Sequence, residues 1–283
     1  MPSDAERRAP VRDLVFDVGL HRGEDTAYYL ALGYRVVAFE ANPELVAECR
    51  QRFARQVADG RLTIVEGAIT DSDAETITFY RHSELSVWGT TDPEWAARNE
   101  QIGASRSITV PTVSFPEQLE RHGVPYYLKV DIEGADTLCL ESLRQVPATP
   151  VYASIEADLS DLSTIQSELD LLESLGFDSF AAVQQGTIPG RRIETTGLDG
   201  ARVNHEFVLN ASGPFGADVD GWGTRSETDE RYRRIVRRYR RFDHRSPIGR
   251  FALGRHLLHV TGRVIGVPLP GWCDTHARRT AAI

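Results

Sequence analysis

The sequence predicts an α/β protein built on a doubly wound, mostly parallel sheet. Short apolar runs rich in β-branched residues alternate with segments of helical period from residue 14 to residue 183. The first run leads through a glycine-containing turn into a helix, and acidic residues end several runs. Open parallel sheets bind ligands at these strand ends. At 283 residues the chain is long enough for one large core and an appendage.

Each predicted element rests on a local signal. Strands are predicted at 14–18, 35–40, 62–65, 75–80, 107–113, 126–133, 151–156, 177–183 and 206–209. Helices are predicted at 24–32, 44–58, 115–122, 135–145 and 163–175. Gly33 and Gly176 follow two helices as C-terminal stop signals, and Pro43 suits the first turn of a third. The last two strands are expected to join the sheet in mixed directions.

Charge is distributed unevenly along the chain. From Gly221 onward there are 14 arginines and 5 acids, a balance of +9, which leaves 18 basic and 36 acidic residues before it, a balance of −18. We therefore predict a main domain at 1–210 and a basic helical extension at 211–283.

Three distant cysteines favour a reducing compartment, and no run of about 18 apolar residues suits a membrane span. We expect a cytoplasmic protein, with a peripheral position at the inner membrane surface as an alternative.

The turn after the first strand predicts a cofactor site. A dinucleotide fold requires G-x-G-x-x-G, but Asp17 stands at the place of the first glycine, followed by Gly19 and Gly23. A fixed carboxylate repels a pyrophosphate and suits a cation, so we infer S-adenosylmethionine as the ligand. Both glycines are expected to let the backbone approach that ligand closely. The alternative is that they only shape a tight turn.

Two further strand ends fit the same cofactor. Glu40 ends the second strand about 20 residues beyond the turn, where a carboxylate can accept both ribose hydroxyls. After the third strand, Glu66 and Ala68 flank Gly67, and the small residues leave room for an adenine. A simple strand-to-loop turn is the alternative for this last site.

A second group of charged residues lies in the segment Tyr126–Asp136. Because side chains alternate along a strand, Lys129, Asp131 and Glu133 are expected to share one side of it. Lys129 is the only lysine beside 31 arginines, which suggests a task that a guanidinium cannot perform. The alternative is a structural network of ion pairs, although buried ion pairs are weak sources of stability.

These motifs resemble the FkbM-type methyltransferases, class I enzymes that use S-adenosylmethionine and have a seven-stranded sheet. The resemblance covers residues 14–209, and the sequence from Lys129 to Asp136 is its most specific part. It implies roles for Asp17, Gly19, Glu40 and Asp131, and transfer of methyl groups to hydroxyls of sugars or natural products. The cofactor-binding candidates are Asp17, Gly19, Gly23, Thr26, Glu40, Ala41, Asn42, Glu66, Ala68 and Asp131.

Two routes for deprotonating a hydroxyl acceptor are open. Asp131 can take the proton while Lys129 holds it, with Glu133 as the third catalytic candidate, and we favour this metal-free route. Alternatively Asp131, Glu156 and Asp158 bind Mg²⁺. The metal route lacks a histidine base close after the first acid, because Gly134 and Asp136 stand there.

Two other segments suggest partners. The polar segment 81–106 is predicted to be a lid or acceptor loop in which His82, Ser86, Trp88 and Thr90 line the acceptor site, or else Trp88 and Trp95 form a small local core. The arginine-rich helix after residue 225 either packs on the sheet or binds an anionic lipid or phosphate-bearing acceptor. No nucleic acid is expected.

We predict an O-methyltransferase acting on a saccharide or glycosylated natural product. A scaffold that binds S-adenosylmethionine without catalysis, as a partner of a glycan-modifying enzyme, is the alternative. A nucleotide-dependent oxidoreductase is disfavoured by Asp17.

Overall fold

The computed structural model describes residues 9–82, 89–93, 105–132, 135–242 and 272–283. The strands are β1 (Val11–Val18), β2 (Arg35–Glu40), β3 (Leu62–Glu66), β4 (Ala68–Ile69), β5 (Thr76–His82), β6 (Ser105–Val113), β7 (Pro125–Val130), β8 (Tyr152–Ala157), β9 (Ser179–Gln184), β10 (Arg192–Thr196), β11 (Arg202–Glu206) and β12 (Cys273–Arg278). The α-helices are α1 (Glu24–Ala31), α2 (Pro43–Arg52), α3 (Ala54–Ala58), α4 (Phe115–His122), α5 (Asp136–Ser142), α6 (Leu162–Ser174) and α7 (Arg225–Phe242).

A seven-stranded sheet has the strand order β3-β2-β1-β7-β8-β12-β9. The pairs β1–β2, β2–β3 and β1–β7 are parallel, whereas β12 and β9 are antiparallel. A three-stranded sheet (β4-β6-β5) and a hairpin (β10-β11) accompany it. The predicted α/β class, with a sheet of mixed direction, is therefore confirmed.

The chain divides into two compact units. The first comprises residues 1–153 and 194–205, and the second residues 154–193 and 206–283. In the first unit, β1 is buried from Leu14 to Val18, and Phe16 packs its ring against Phe39 and Phe115 at centroid distances of 5.4 and 6.0 Å. The register places Asp17 opposite Lys129, so two charged side chains meet at the carboxyl ends of two buried strands.

In the second unit, α7 packs through one face. Tyr232 and Val236, four residues apart, are buried, and the Tyr232 hydroxyl lies 2.6 Å from Thr275 Oγ1 on β12. The predicted helix in the basic extension is thereby confirmed. The apolar segment predicted at 248–260 lies outside the described residues. Within the described residues, no helix combines the length and apolar character needed to cross a membrane.

The strand predicted at 206–209 is wrong. Strand β11 ends at Glu206 and pairs with β10 in the hairpin, while the last strand of the large sheet is β12. The sequence of β12 does not predict a buried strand, because it contains Asp274 and His276. Both of these residues are nevertheless buried. Residues 211–283 thus supply one strand of the large sheet besides α7, and the division at residue 210 remains a prediction.

The helix predicted at 44–58 is interrupted. Phe53 leaves helical geometry at φ −107° and ψ 27°, which separates α2 from α3. Its ring occupies the space where a Cβ on Gly23 would stand. A tertiary contact between the first turn and this aromatic ring therefore accompanies the break, which helix propensity alone does not reveal.

Candidate active site

The Lys129 ammonium is the centre of a buried ion cluster. Its Nζ lies 3.2 Å from Asp17 Oδ1 and 3.6 Å from Asp25 Oδ2, and it donates to the Gly19 carbonyl at 3.0 Å. The Thr26 hydroxyl donates to Asp17 Oδ2 at 2.6 Å. Lys129, Asp17, Asp25 and Thr26 are each at most 3% exposed as whole residues. Asp17 and Thr26, both predicted to bind the cofactor, therefore hydrogen-bond to each other, and Asp17 also pairs with Lys129.

Asp131 joins this cluster at its solvent-exposed edge. Its Oδ2 lies 3.6 Å from Lys129 Nζ, and its side chain is 42% exposed. Burial lowers the pKa of Lys129, but the carboxylates of Asp17, Asp131 and Asp25 raise it well above its usual value. The carboxylates therefore favour the charged form of Lys129, which holds them in place and makes it a poor base.

Gly19 and Gly23 are required by packing within the protein. Gly19 has φ +93°, and a Cβ there would collide with the backbone carbonyl of Asp131. Gly23 has φ +77°, and a Cβ there would collide with the Phe53 ring. Asp131, just after β7, and Phe53, just after α2, thus approach the turn too closely for a side chain at either glycine. That the glycines also let the backbone approach a ligand stays a prediction.

Glu40 is held rigidly at the end of β2. Its Oε2 accepts the His21 backbone N–H at 2.9 Å, and its Oε1 accepts the Asn42 backbone N–H at 2.8 Å. Burial raises the pKa of Glu40, while these two amides act in the opposite direction. A carboxylate offers about four acceptor positions, so both oxygens can accept further hydrogen bonds.

His21 has an unusual backbone conformation in this turn. It is one of the non-glycine residues with positive φ, at +49°. Its Nδ1 lies 3.0 Å from Glu24 Oε1, and the Arg22 backbone N–H donates to Glu24 Oε2 at 3.1 Å. Burial acts to raise the pKa of Glu24, but the His21 hydrogen bond and these other contacts lower it overall. Two glutamates thus fix the conformation of the turn.

The residues predicted to surround an adenine are divided between surface and core. Glu66 pairs with Arg50 at 2.8 Å, and its side chain is 32% exposed. Ala68 is buried in a small cluster with Phe79 and Val110, and Ala41 packs against that cluster. Ala68 therefore belongs to the core, Ala41 is a partly buried apolar residue next to Glu40 in the sequence, and Glu66 is partly exposed. Asn42 also caps α2 by accepting from the Glu44 N–H at 3.1 Å.

The remaining candidates are only partly described. Glu133 lies outside the described residues. The same holds for three residues of the predicted lid, Ser86, Trp88 and Trp95, and for the side chain of His82. Thr90 is 2% exposed and its backbone pairs with that of Tyr80.

The metal route stays a prediction, and its two further carboxylates lie at and just after β8. Glu156 lies in β8, and Asp158 Oδ1 accepts the Ser160 N–H at 2.9 Å, both in the second unit. In the part of the chain that the structure describes, there is no group of three or more His, Cys, Asp or Glu side chains placed to hold a metal ion.

Sequence reasoning missed three residues here. Asp25 and His21 lie in or next to the glycine-containing turn, but the sequence assigns neither of them a role. Asp136, predicted only as the last residue of the Lys129–Asp136 motif, accepts the Ile132 N–H at 3.1 Å, and burial raises its pKa to about 7. A charged residue in the first turn of a helix that follows a glycine turn was the available signal for Asp25.

The Methyltransferase FkbM domain model matches residues 17–179, which is more than half of the chain and includes Asp17, Glu40, Lys129 and Asp131. The chain belongs to the FkbM methyltransferase family. This confirms the resemblance drawn from the sequence motifs.

Other similarities to this FkbM protein are partial. A probable ribosomal RNA small subunit methyltransferase A from Haloarcula marismortui is 39% identical over 64 residues, 23% of this chain and 22% of that protein. The imidazole glycerol phosphate synthase subunit HisF from Leifsonia xyli subsp. xyli is 30% identical over 140 residues, 48% of each chain. The chain thus spans less than half the length of these curated relatives.

Among solved structures, a precorrin-6y C5,15-methyltransferase from Geobacter metallireducens GS-15 superimposes with a TM-score of 0.35 at 15% identity, covering 73% of this chain and 85% of that one. A similarity at this level carries no argument about the substrate of the FkbM protein.

Proposed function

We propose that this protein transfers the methyl group of S-adenosylmethionine to a hydroxyl oxygen of a saccharide or glycosylated natural product. The observation that carries the proposal is the placement of Asp131. Its half-exposed carboxylate lies 3.6 Å from a buried, permanently charged ammonium. A fixed, solvent-accessible carboxylate of this kind can accept the proton of a neutral hydroxyl acceptor.

The residues present fit the cofactor. Glu40 keeps free acceptor positions for ribose hydroxyls while two backbone amides hold it in place. Ala41, the residue after it, is a partly buried apolar residue backed by the cluster around Ala68. The Lys129 cluster places negative charge near the turn, which suits a cationic ligand. When bound, S-adenosylmethionine supplies an electrophilic methyl group.

The protein's own contribution is alignment and proton removal. Lys129 fixes Asp17 beneath the turn and Asp131 at its edge, so the ends of β1 and β7 keep one geometry. Asp131 accepts the proton as the acceptor oxygen attacks the methyl group. Lys129 keeps its own proton throughout, because three carboxylates stabilise its charge. We favour this metal-free route.

The test is direct. The purified protein is incubated with methyl-labelled S-adenosylmethionine and a cell extract, and mass spectrometry identifies labelled products. We expect a labelled O-methyl ether on a sugar-containing compound. Binding of the cofactor with no labelled product in any extract would favour the scaffold alternative, and label on nitrogen or carbon would contradict the O-methyl assignment.

A further inference from the structure

The loop that follows β7 carries Asp131, and the peptide that joins Asp131 to Ile132 is restrained on two sides. A peptide group is planar, so its N–H and C=O keep fixed directions relative to each other. The N–H, which belongs to Ile132, donates to Asp136 Oδ1 at 3.1 Å. The C=O, which belongs to Asp131, lies so close to Gly19 that a Cβ on Gly19 would collide with it. These two contacts set the plane of the peptide.

The same restraints set the direction of the Asp131 side chain. The Asp131 N–H donates to the Val18 carbonyl at 2.9 Å, so the peptide before Asp131 is held as well. Peptides held on both sides determine φ and ψ of Asp131, and with them the direction in which its Cβ points. From this position the carboxylate lies 3.6 Å from Lys129 Nζ, while the side chain remains 42% exposed.

Asp136 reaches this peptide from the first residue of α5, where Ala135 provides no side-chain cap. An acidic residue at a helix start also interacts favourably with the helix dipole, which is the alternative role. That role requires a negative charge, whereas the contact with the Ile132 N–H requires only an acceptor oxygen. Asp136→Asn keeps an acceptor oxygen and removes the charge, so it separates the two roles.

We propose that Asp136 is a positioning residue, which holds the peptide after Asp131 so that the Asp131 carboxylate stays in place to accept the proton of the acceptor hydroxyl. The inference rests on the proposed function, because it takes Asp131 as the base. Asp136 acts only through the backbone of the loop, without touching the reacting atoms. Displacing a catalytic group by about 1 Å can lower a rate by about 10²-fold, so the loss of this restraint has a measurable effect.

Crystal structures of the wild type, Asp136→Ala and Asp136→Asn test the positioning without requiring turnover. We expect the distance from Asp131 Oδ2 to Lys129 Nζ to stay below about 4 Å, the usual limit for an ion pair, in the wild type and in Asp136→Asn. In Asp136→Ala the Ile132 N–H loses its acceptor, and Asp131 should move beyond that distance. Asp136→Leu, which has a branched side chain and no acceptor, takes the place of Asp136→Ala if the latter does not fold.

Methyl transfer measures the consequence for the reaction. The probe is methyl-labelled S-adenosylmethionine with a fixed amount of the cell extract used above, which gives an apparent kcat and an apparent KM for the methyl donor. We expect Asp136→Ala to lower the apparent kcat by about tenfold or more and to change the apparent KM by less than about threefold. Asp136→Asn should keep the apparent kcat within about threefold of the wild-type value, because it keeps the acceptor.

The matched control is Asp161→Ala. Asp161 precedes α6 in the second unit, is exposed, and its Oδ1 accepts the Ser163 N–H at 2.9 Å. Its replacement removes a hydrogen bond from a backbone amide to a carboxylate at a helix start, as Asp136→Ala does. We expect its apparent kcat and KM to stay within about threefold of the wild-type values. Circular dichroism confirms that each variant is folded.

The contradicting outcomes can be told apart. A folded Asp136→Ala that keeps its apparent kcat within about threefold, or whose Asp131 stays beside Lys129, overturns the inference and leaves the proposed function intact. Equal losses in Asp136→Ala and Asp136→Asn would assign the effect to charge, and an equal loss in Asp161→Ala would assign it to helix starts in general; both contradict the inference. If the wild type yields no labelled product, the proposed function fails, and the crystal structures still decide whether Asp136 positions Asp131.

Discussion

At the scale of single residues, Glu40 shows how one carboxylate can serve both the fold and a ligand. Its two oxygens already hold the backbone amides of His21 and Asn42, which keep the first turn and the start of α2 together. The same contacts leave it oriented for further hydrogen bonds. A residue with this arrangement affects both stability and affinity when it is replaced.

The first prediction concerns that residue. Glu40→Ala should weaken binding of S-adenosylhomocysteine by about 1.5–3 kcal/mol, the usual range for hydrogen bonds to a charged group. Calorimetry measures the affinity. A thermal melt measures separately how much stability is lost with the two amide contacts. Glu40→Gln is the control, since its amide oxygen keeps one acceptor. Unchanged affinity in a folded Glu40→Ala protein would remove Glu40 from the site.

The second prediction concerns the chemistry. Asp131→Asn should lower kcat by about 10²-fold or more while cofactor affinity changes little, because the acceptor proton loses its base. Lys129→Arg should also be damaging, since the planar fork cannot fit between Gly19 O and Asp17, which lie 3.0 and 3.2 Å from Nζ.

Chelation distinguishes the two routes for the same residue. We expect full activity in the presence of EDTA. Activity that EDTA abolishes and Mg²⁺ restores would overturn the metal-free route, and a fully active Asp131→Asn would contradict both routes.

At the scale of elements, α7 packs its apolar face within the second unit, and arginines on its other face are exposed to solvent. Tyr232 and Val236 are buried, while Arg237 and Arg238 are exposed. Arg233 and Arg234 pair with Asp229 and Glu230, each four residues earlier. The helix is therefore packed, as one of the two sequence interpretations held. Binding of an anionic partner by its outer face stays a prediction.

The third prediction tests that outer face. Replacing Arg237 and Arg238 with Glu should abolish cosedimentation with anionic lipid vesicles, in a salt-dependent way, because the attraction is electrostatic. The unfolding free energy should change by less than about 0.5 kcal/mol, since both side chains are exposed.

A matched control reverses Arg192 and Arg202 of the β10–β11 hairpin, which changes the net charge equally. This control protein should still cosediment. If the wild type does not cosediment, or if both variants lose binding alike, α7 is not a lipid-binding surface. A raised KM for a phosphate-bearing acceptor without vesicle binding would point to the other anionic partner.

Local patterns predicted most elements and failed at identifiable places. Apolar runs with an acidic residue at or near the carboxyl end predicted β1, β2 and β7, because buried parallel strands consist mainly of apolar residues. Strand β12 could not be found this way, since Asp274 and His276 are polar residues buried by long-range pairing. At the site, spacing predicted Asp17, Glu40 and Lys129. It could not show that Asp17 faces Lys129, because that follows from the register between β1 and β7.

At the scale of the whole molecule, the half-buried Asp136 and the buried His276 should change the unfolding free energy with pH in opposite directions. Burial raises the pKa of Asp136 to about 7, so the native state holds a proton that the unfolded chain releases near pH 4. Burial lowers the pKa of His276 to about 4, so the unfolded chain binds a proton below about pH 6.5 that the native state refuses.

The last prediction follows from this opposition. Between about pH 4 and 6.5, Asp136 makes stability fall as the pH rises, and His276 makes it fall as the pH drops. Each contributes a slope of about 1.4 kcal/mol per pH unit, so their effects nearly cancel in the wild type.

His276→Phe removes one titrating group, along with a buried Nε2 that has no hydrogen-bond partner. Its unfolding free energy should decline from pH 4 to 7. Asp136→Asn keeps an acceptor for the Ile132 N–H and should show the opposite slope from pH 4 to 6.5. Urea unfolding at half-unit pH intervals measures both slopes. If the unfolding free energies of the two variants change with pH in parallel, neither group has the shifted pKa. If unfolding occurs in two separate transitions with opposite pH slopes, each group affects only the stability of its own unit.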